Sequence, residues 1–204
     1  MVTAESRAEL GRTEAASSAV PELVLCATHE DLASAWESAA GHRSGVRVFR
    51  GSVLYVSAHA VVSPANSYGW MRGGIDAIYA EAFPSVEQNV RRAVLNLHGG
   101  ELPVGEALIV PTGHDRPAWL ISAPTMREPG ETLPPETVHP YLAARATFRL
   151  WCNGTLDDGR PVRDVVRTIA LPGLGTGTGG VSPDVCARQV IAAWDEAFAA
   201  ATTE

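Results

Sequence analysis

The chain has 204 residues and a net charge of −7, and all 16 of its basic residues are arginine. Without lysine, the Schiff-base, pyridoxal-phosphate, lysine-nucleophile and Walker-A chemistries lack the ε-amine that each requires. The acidic balance argues against nonspecific binding to nucleic acid or an anionic membrane, while a 46% hydrophobic content predicts one domain with a sizeable core.

Residues 1–20 are rich in Ala, Ser, Glu and Thr with little apolar periodicity, and are expected to form a flexible tail before a single domain over 21–204. The apolar run Glu22–Cys26 comes next, then a helix whose start is read from Thr28 and Asp31 and whose end falls near Gly41. Val46–Phe49 and Ala60–Ser63 predict strands. Ile75–Phe83 predicts a short helix, and Ser85–Leu97 a longer one with a cap at Pro84–Ser85 and a stop at Gly99-Gly100. Ala107–Val110 and Trp119–Ser122 read as strands, Pro124–Pro135 as a surface insertion, and Thr137–Trp151 as an amphipathic helix. Val165–Leu171 is a buried strand by its pattern. Ser182–Ala199 is the closing helix, with Ser182 as cap and Pro183 in its first position. Strands alternating with helices predict an α/β domain with a largely parallel sheet. Cys26, Cys152 and Cys186 lack metal-ligand spacing and read as reduced, mostly buried thiols of a cytoplasmic protein. No apolar run approaches the roughly 18 residues of a membrane span.

Glycine concentrates in two places. SPANSYGWMRGGID (Ser63–Asp76) follows the strand Ala60–Ser63, and PGLGTGTGG (Pro172–Gly180) follows the strand ending at Leu171. Open α/β sheets bind ligands at the carboxyl ends of their strands, so two such loops side by side predict one crevice. Glycines allow backbone amides to approach an anion closely, and a helix N-terminus adds a favourable dipole. The pair therefore suits a phosphate or pyrophosphate, with tight turns as the plainer reading. Asp76 is readable as a helix N-cap or as a working carboxylate, and Asn66 as a turn residue or a ligand contact.

The first loop resembles the signature of the macrodomain family of ADP-ribose-binding modules: Asn-Ala-Ala-Asn, four variable residues, four glycines, an aliphatic residue and Asp. Asn66 falls on the second Asn, Gly73 and Gly74 on the last two glycines, Ile75 on the aliphatic residue and Asp76 on the Asp. The second loop resembles the family's other element, a strand ending in Pro followed by Ser-Thr-Gly. The resemblance spans about residues 45–200 and implies a three-layer α/β/α fold around a mixed, largely parallel central sheet. It implies an ADP-ribose cleft formed by Ser52, Ala65, Asn66, Arg72, Gly73, Gly74, Ile75, Gly175, Thr176, Gly177, Thr178 and Gly179. It further implies hydrolysis of mono-ADP-ribosyl esters on proteins, with Asn66 fixing the distal ribose and Asp76 orienting or deprotonating a water. No metal or cofactor is implied, and the expected partner is ADP-ribose or a mono-ADP-ribosylated protein. A non-catalytic ADP-ribose reader, or a structural protein retaining the fold, are the rival readings.

Several positions depart from the family pattern. Ser63 replaces the first Asn, which weakens or changes one polar support of the loop, and Met71 and Arg72 replace the first two glycines. Arg72 is thereby offered to a phosphate or a substrate carboxylate. Ser52, in Gly51-Ser52-Val53, stands where the family places the Asp that holds the adenine amino group. Tyr79 and Ala80 occupy positions where several hydrolases carry a His, and Tyr68 or Trp70 is the available stacking surface. Trp36, Trp119, Trp151 and Trp194 are assigned to the core, and His98 and His139 to surface or cap positions. His59 and His114 reach the cleft only if their loops fold inward. Cys186, early in the last helix, reads as a buried structural thiol.

Overall fold

The computed structural model describes residues 20–198. The tail assigned to residues 1–20 thus lies outside the described residues except for Val20, as does the predicted helix end at Ala199. Six strands form one sheet: β1 (Glu22–Ala27), β2 (Val46–Arg50), β3 (Ala60–Ser63), β4 (Leu108–Pro111), β5 (Trp119–Ser122) and β6 (Thr168–Leu171). Their order is β2-β1-β6-β3-β5-β4, and every pairing is parallel except β4 with β5. β3 and β6 are buried at every position, and β1 at all but its first. Such short continuous apolar runs are what a parallel strand covered on both faces requires.

Side chains alternate across the sheet and divide the core in two. Leu23, Leu25, Val62, Ile169 and Leu171 face one layer, formed by α1 (Glu30–Ala40), α4 (His139–Asn153) and α6 (Pro183–Phe198). Val24, Val61, Leu120 and Ala170 face the other, formed by α2 (Gly74–Ala82) and α3 (Val86–His98). The result is the expected three-layer α/β/α fold. Trp36, Trp151 and Trp194 are buried in the first layer, and Trp119 is partly buried against it.

Three local readings change. The start of α1 is not capped by Thr28: the residue before the helix is His29, and it makes no side-chain cap bond. Ser85 likewise precedes α3 without capping it. The first part of the predicted strand Val165–Leu171 is absorbed by a one-turn helix α5 (Val162–Val165), so β6 begins only at Thr168. By contrast, the Val185 amide donates to Ser182 Oγ at 3.4 Å, as the predicted cap of α6 requires. No helix among the described residues is long and apolar enough to cross a membrane.

The chain leaves β3 toward the α2–α3 layer and leaves the neighbouring β6 toward the opposite layer. Two loops diverging from adjacent strands open a crevice at the strands' carboxyl ends. The fold therefore decides where a ligand can lie before any side chain is considered.

Candidate functional site

A cleft of about 780 Å³ occupies this switch point. Its lining follows the strand order. Gly51, Ser52 and Val53 come from the end of β2, Ala27 and Thr28 from the end of β1, and Gly173 with Gly175 to Gly179 from the end of β6. Pro64, Ala65, Asn66, Trp70 and Arg72 to Asp76 follow from the end of β3, and Thr125 and Met126 from beyond β5. Strands lie about 4.8 Å apart, so these contributions are spread along one edge in that sequence. The twelve residues of the expected ADP-ribose cleft, together with Asp76, all line this one cleft.

The loop after β6 is built for approach by backbone. The amides of Gly175, Thr176, Gly177, Thr178 and Gly179 donate to no acceptor among the described residues. The loop holds its shape by other bonds, from the Gly180 amide to Gly177 O and from the Val181 amide to Gly175 O, both 3.0 Å. Gly179 has to be glycine, because a Cβ there would stand 2.6 Å from Gly175 O.

The loop after β3 ends at the N-terminus of α2. Gly73 precedes that helix, and the amides of Gly74, Ile75 and Asp76 are the first-turn donors that no helical carbonyl can satisfy. Two sets of free amides thus border one cavity, the arrangement that attracts an anionic group. Among the described residues the only arginine in the lining is Arg72, so they offer no cluster of side-chain cations to replace the amides.

Asp76 is not a helix cap. It sits in the first turn of α2, 6% exposed, and its Oδ1 accepts a hydrogen bond from Ser63 Oγ at 2.6 Å. Burial pushes its carboxyl up to about 6; the Ser63 bond opposes the rise, and the negative charge of Glu87 adds to it. Near neutral pH, Asp76 is then a mostly ionised carboxylate with an appreciable proton affinity, which suits acid–base work. Ser63, where a weakened or changed support was expected, changes its role and holds this carboxylate.

Asn66 is a turn organiser in this structure. Its Oδ1 accepts from the Tyr68 and Trp70 amides at 3.1 and 3.3 Å, and its Nδ2 donates to Trp70 O at 2.7 Å. Ser52 Oγ accepts the Leu54 amide at 3.3 Å and so caps the short helical turn Val53–Tyr55. Trp70 lines the cleft, as one of the two proposed aromatic surfaces; Tyr68 points elsewhere, donating to Glu128 at 3.0 Å. Tyr79 is fully buried, with its hydroxyl donating to Val62 O at 3.0 Å.

The segment 124–135 is more than a surface insertion. The Thr125 amide donates to Ala65 O and the Ser67 amide to Met126 O, while the Leu133 amide donates to Gly179 O. It thereby staples both glycine loops and supplies Thr125, Met126, Pro129 and Gly130 to the cleft. His139 begins α4, and its Nδ1 lies 2.7 Å from Thr125 O. Thr28 and His29 also line the cleft and escaped the sequence reading, because no motif marks the turn after β1. His59 and His114 are outside the lining, the first beside Arg116 and the second edge-on to Phe83. Cys186 is fully buried, its sulfur accepting the Leu174 amide at 3.2 Å, and burial pushes its thiol up to about 12. No group of three or more His, Cys, Asp or Glu able to hold a metal occurs among the described residues.

Comparison with known proteins agrees with this architecture. An uncharacterised protein of Aquifex aeolicus is 33% identical over 146 residues, covering 72% of this chain and 78% of that protein. Another, from Aeropyrum pernix, is 35% identical over 144 residues, covering 70% and 66% respectively. Among solved structures, the macrodomain of Mycobacterium tuberculosis DarG matches with a TM-score of 0.58 at 21% identity, over 72% of this chain and 88% of that one. An Oceanobacillus iheyensis macrodomain variant with ADPR matches at 0.54 and 19% identity, over 70% and 74%. At those identities the solved structures share the fold. A family model described as Macro domain matches residues 62–190, from the middle of β3 into α6 and across both glycine loops, and the chain belongs to that family.

Proposed function

We propose that the protein binds ADP-ribose in this cleft and hydrolyses mono-ADP-ribosyl esters on proteins. The observation that carries the reading is the convergence of two sets of free backbone amides on one cavity whose wall contains the buried carboxylate Asp76. The order of the lining supports a direction for the ligand. The base lies toward Thr28 and Ser52, the pyrophosphate between the loops after β6 and β3, and the distal ribose toward Asn66 and Asp76. In the reaction, Asp76 accepts a proton from a water whose oxygen forms a bond to the anomeric carbon. The bond from that carbon to the ester oxygen breaks, and its electron pair leaves with the released side-chain carboxylate. The pinned pyrophosphate holds the ribose while charge develops.

The engagement of Asn66 in its own turn favours a second reading, a reader that binds ADP-ribose without turnover. Calorimetric titration with ADP-ribose, followed by a release assay on a protein mono-ADP-ribosylated on Glu or Asp, separates the two. Binding with release supports the hydrolase, and binding without release supports the reader. No heat at millimolar ADP-ribose would overturn both and leave a fold without this ligand.

A further inference from the structure

Along the rim beside the first loop lies a cluster that neither pyrophosphate binding nor the bond-breaking step uses. Gly69 presses this loop onto α3: its φ is +71°, and a Cβ there would stand 2.8 Å from Val90 Cγ1. The close approach brings the next residue, Trp70, against Arg91, the neighbour of Val90. The Arg91 guanidinium carbon is 3.5 Å from the centroid of the Trp70 ring, and that of Arg72 is 4.3 Å from it. Both arginines are exposed. Arg72 has one carboxylate neighbour, Glu87, at 3.8 Å, while Arg91 has none within ion-pair distance among the described residues. A guanidinium held by its face on an indole keeps its N–H edges free, in a fork that matches a carboxylate.

We infer that the Trp70–Arg72–Arg91 cluster docks the acidic peptide segment that carries the ADP-ribosyl group, by taking up carboxylates flanking the modified residue. The inference rests on the ADP-ribose reading above. With the distal ribose at the β3 end, whatever is attached to it leaves the cleft past residues 66–73, where Trp70 and Arg72 line the wall. The ligand's own charge is met by backbone amides, so these two cations remain for the attached chain. A net charge of −7 gives no general attraction for an acidic peptide, so its docking depends on local cation clusters such as this one. A nucleic-acid strand fits less well. It presents a phosphate at every nucleotide and needs a basic track, whereas this cluster is flanked by Glu87 beside Arg72 and by Glu128 on Tyr68.

The test uses Asp76→Asn protein, so that no substrate is consumed, and probes bearing ADP-ribose through a non-hydrolysable linkage. One probe is a peptide with Glu and Asp flanking the attachment, one has Gly and Ser there, and one is a short DNA oligonucleotide. The acidic peptide is expected to bind about tenfold tighter than the neutral one, a preference that shrinks with added salt. Arg91→Glu should abolish that preference, and Arg91→Gln should reduce it. Both should leave the affinity for free ADP-ribose unchanged, because Arg91 is not in the cleft lining; that unchanged affinity also verifies that the variants fold. Equal binding of the two peptides, or a preference that survives Arg91→Glu, would overturn the inference, as would tightest binding by the oligonucleotide. If free ADP-ribose itself fails to bind wild-type protein, the underlying ligand reading falls, and this inference falls with it.

Discussion

The loops after β3 and β6 leave neighbouring strands at the same sheet edge, yet they are constructed on opposite plans. The loop after β6 is almost wholly backbone: five of the eight residues in 173–180 are glycine, and a run of five amides finds no acceptor among the described residues. The loop after β3 is held by side chains. Asn66 ties three backbone groups of Tyr68 and Trp70, Ser63 holds Asp76, and two arginines lie over Trp70. The contrast assigns different work to the two sides of the cleft. On the proposed reading, fixed dipoles on one side meet the ligand's charge without a cation, and a side-chain scaffold on the other holds Asp76, the one buried carboxylate among the described residues. This is how a chain without lysine can hold a doubly charged ligand.

If the division is right, damage to each loop should have a different signature. The largest effect is expected from Asp76→Ala, which should lower the release rate on an ester-linked substrate by about 10²–10⁴-fold. Its Kd for ADP-ribose by calorimetry should stay close to that of the wild type, and unchanged release would remove Asp76 from the chemistry. Gly179→Val should do the reverse. Its side chain collides with Gly175 O and displaces the neighbouring amides, so ADP-ribose affinity should fall by about a hundredfold. Residual turnover at saturating substrate should then be better preserved than in Asp76→Ala. A thermal melt confirms that the variant remains folded.

The parts legible in the sequence were those set by local pattern. The continuous apolar runs of β1, β3 and β6 and the glycine spacing of both loops place the crevice without reference to distant residues. Contacts made across the sheet edge were not legible. Ser63 lies 13 residues from Asp76, and only the fold reveals that the hydroxyl at the end of β3 meets the carboxylate in the first turn of α2. Proline content marked 124–135 as a loop but could not show its backbone bonds to Ala65, Ser67 and Gly179, because such bonds carry no side-chain signature. Thr28 is a related case, since it does not cap α1. A threonine before a helix has the composition of a cap, whether or not its hydroxyl faces the helix.

The cost of holding Asp76 gives a third way to probe the scaffolded side. Burial pushes its carboxyl from the ordinary 3.8 up to about 6, so the folded state binds the proton more tightly. Stability from this group is therefore fully present below about pH 3.8 and declines as pH rises toward 6. Above that it levels at a penalty of about 3 kcal/mol. Asp76→Asn removes the ionisation. The variant should melt several degrees above wild type at pH 8, and this advantage should shrink markedly at pH 4.5. An equal shift at both pH values would mean that the carboxylate is not ionised against its surroundings.

The smallest and most selective effect is expected at Ser63. Its hydroxyl donates to Asp76 Oδ1 and favours the ionised form, so Ser63→Ala should move the pH midpoint of kcat/KM upward. The loss of rate should then be greater at pH 6 than at pH 8, while ADP-ribose affinity at pH 8 is retained. Ser63→Thr keeps the hydroxyl and should return the midpoint toward its original position. A rate lowered equally at every pH would show that Ser63 only fills space beneath α2. A displaced midpoint restored by threonine would show that the β3 loop controls the protonation of Asp76 through one hydrogen bond, a form of control for which the side-chain-poor loop after β6 has no counterpart.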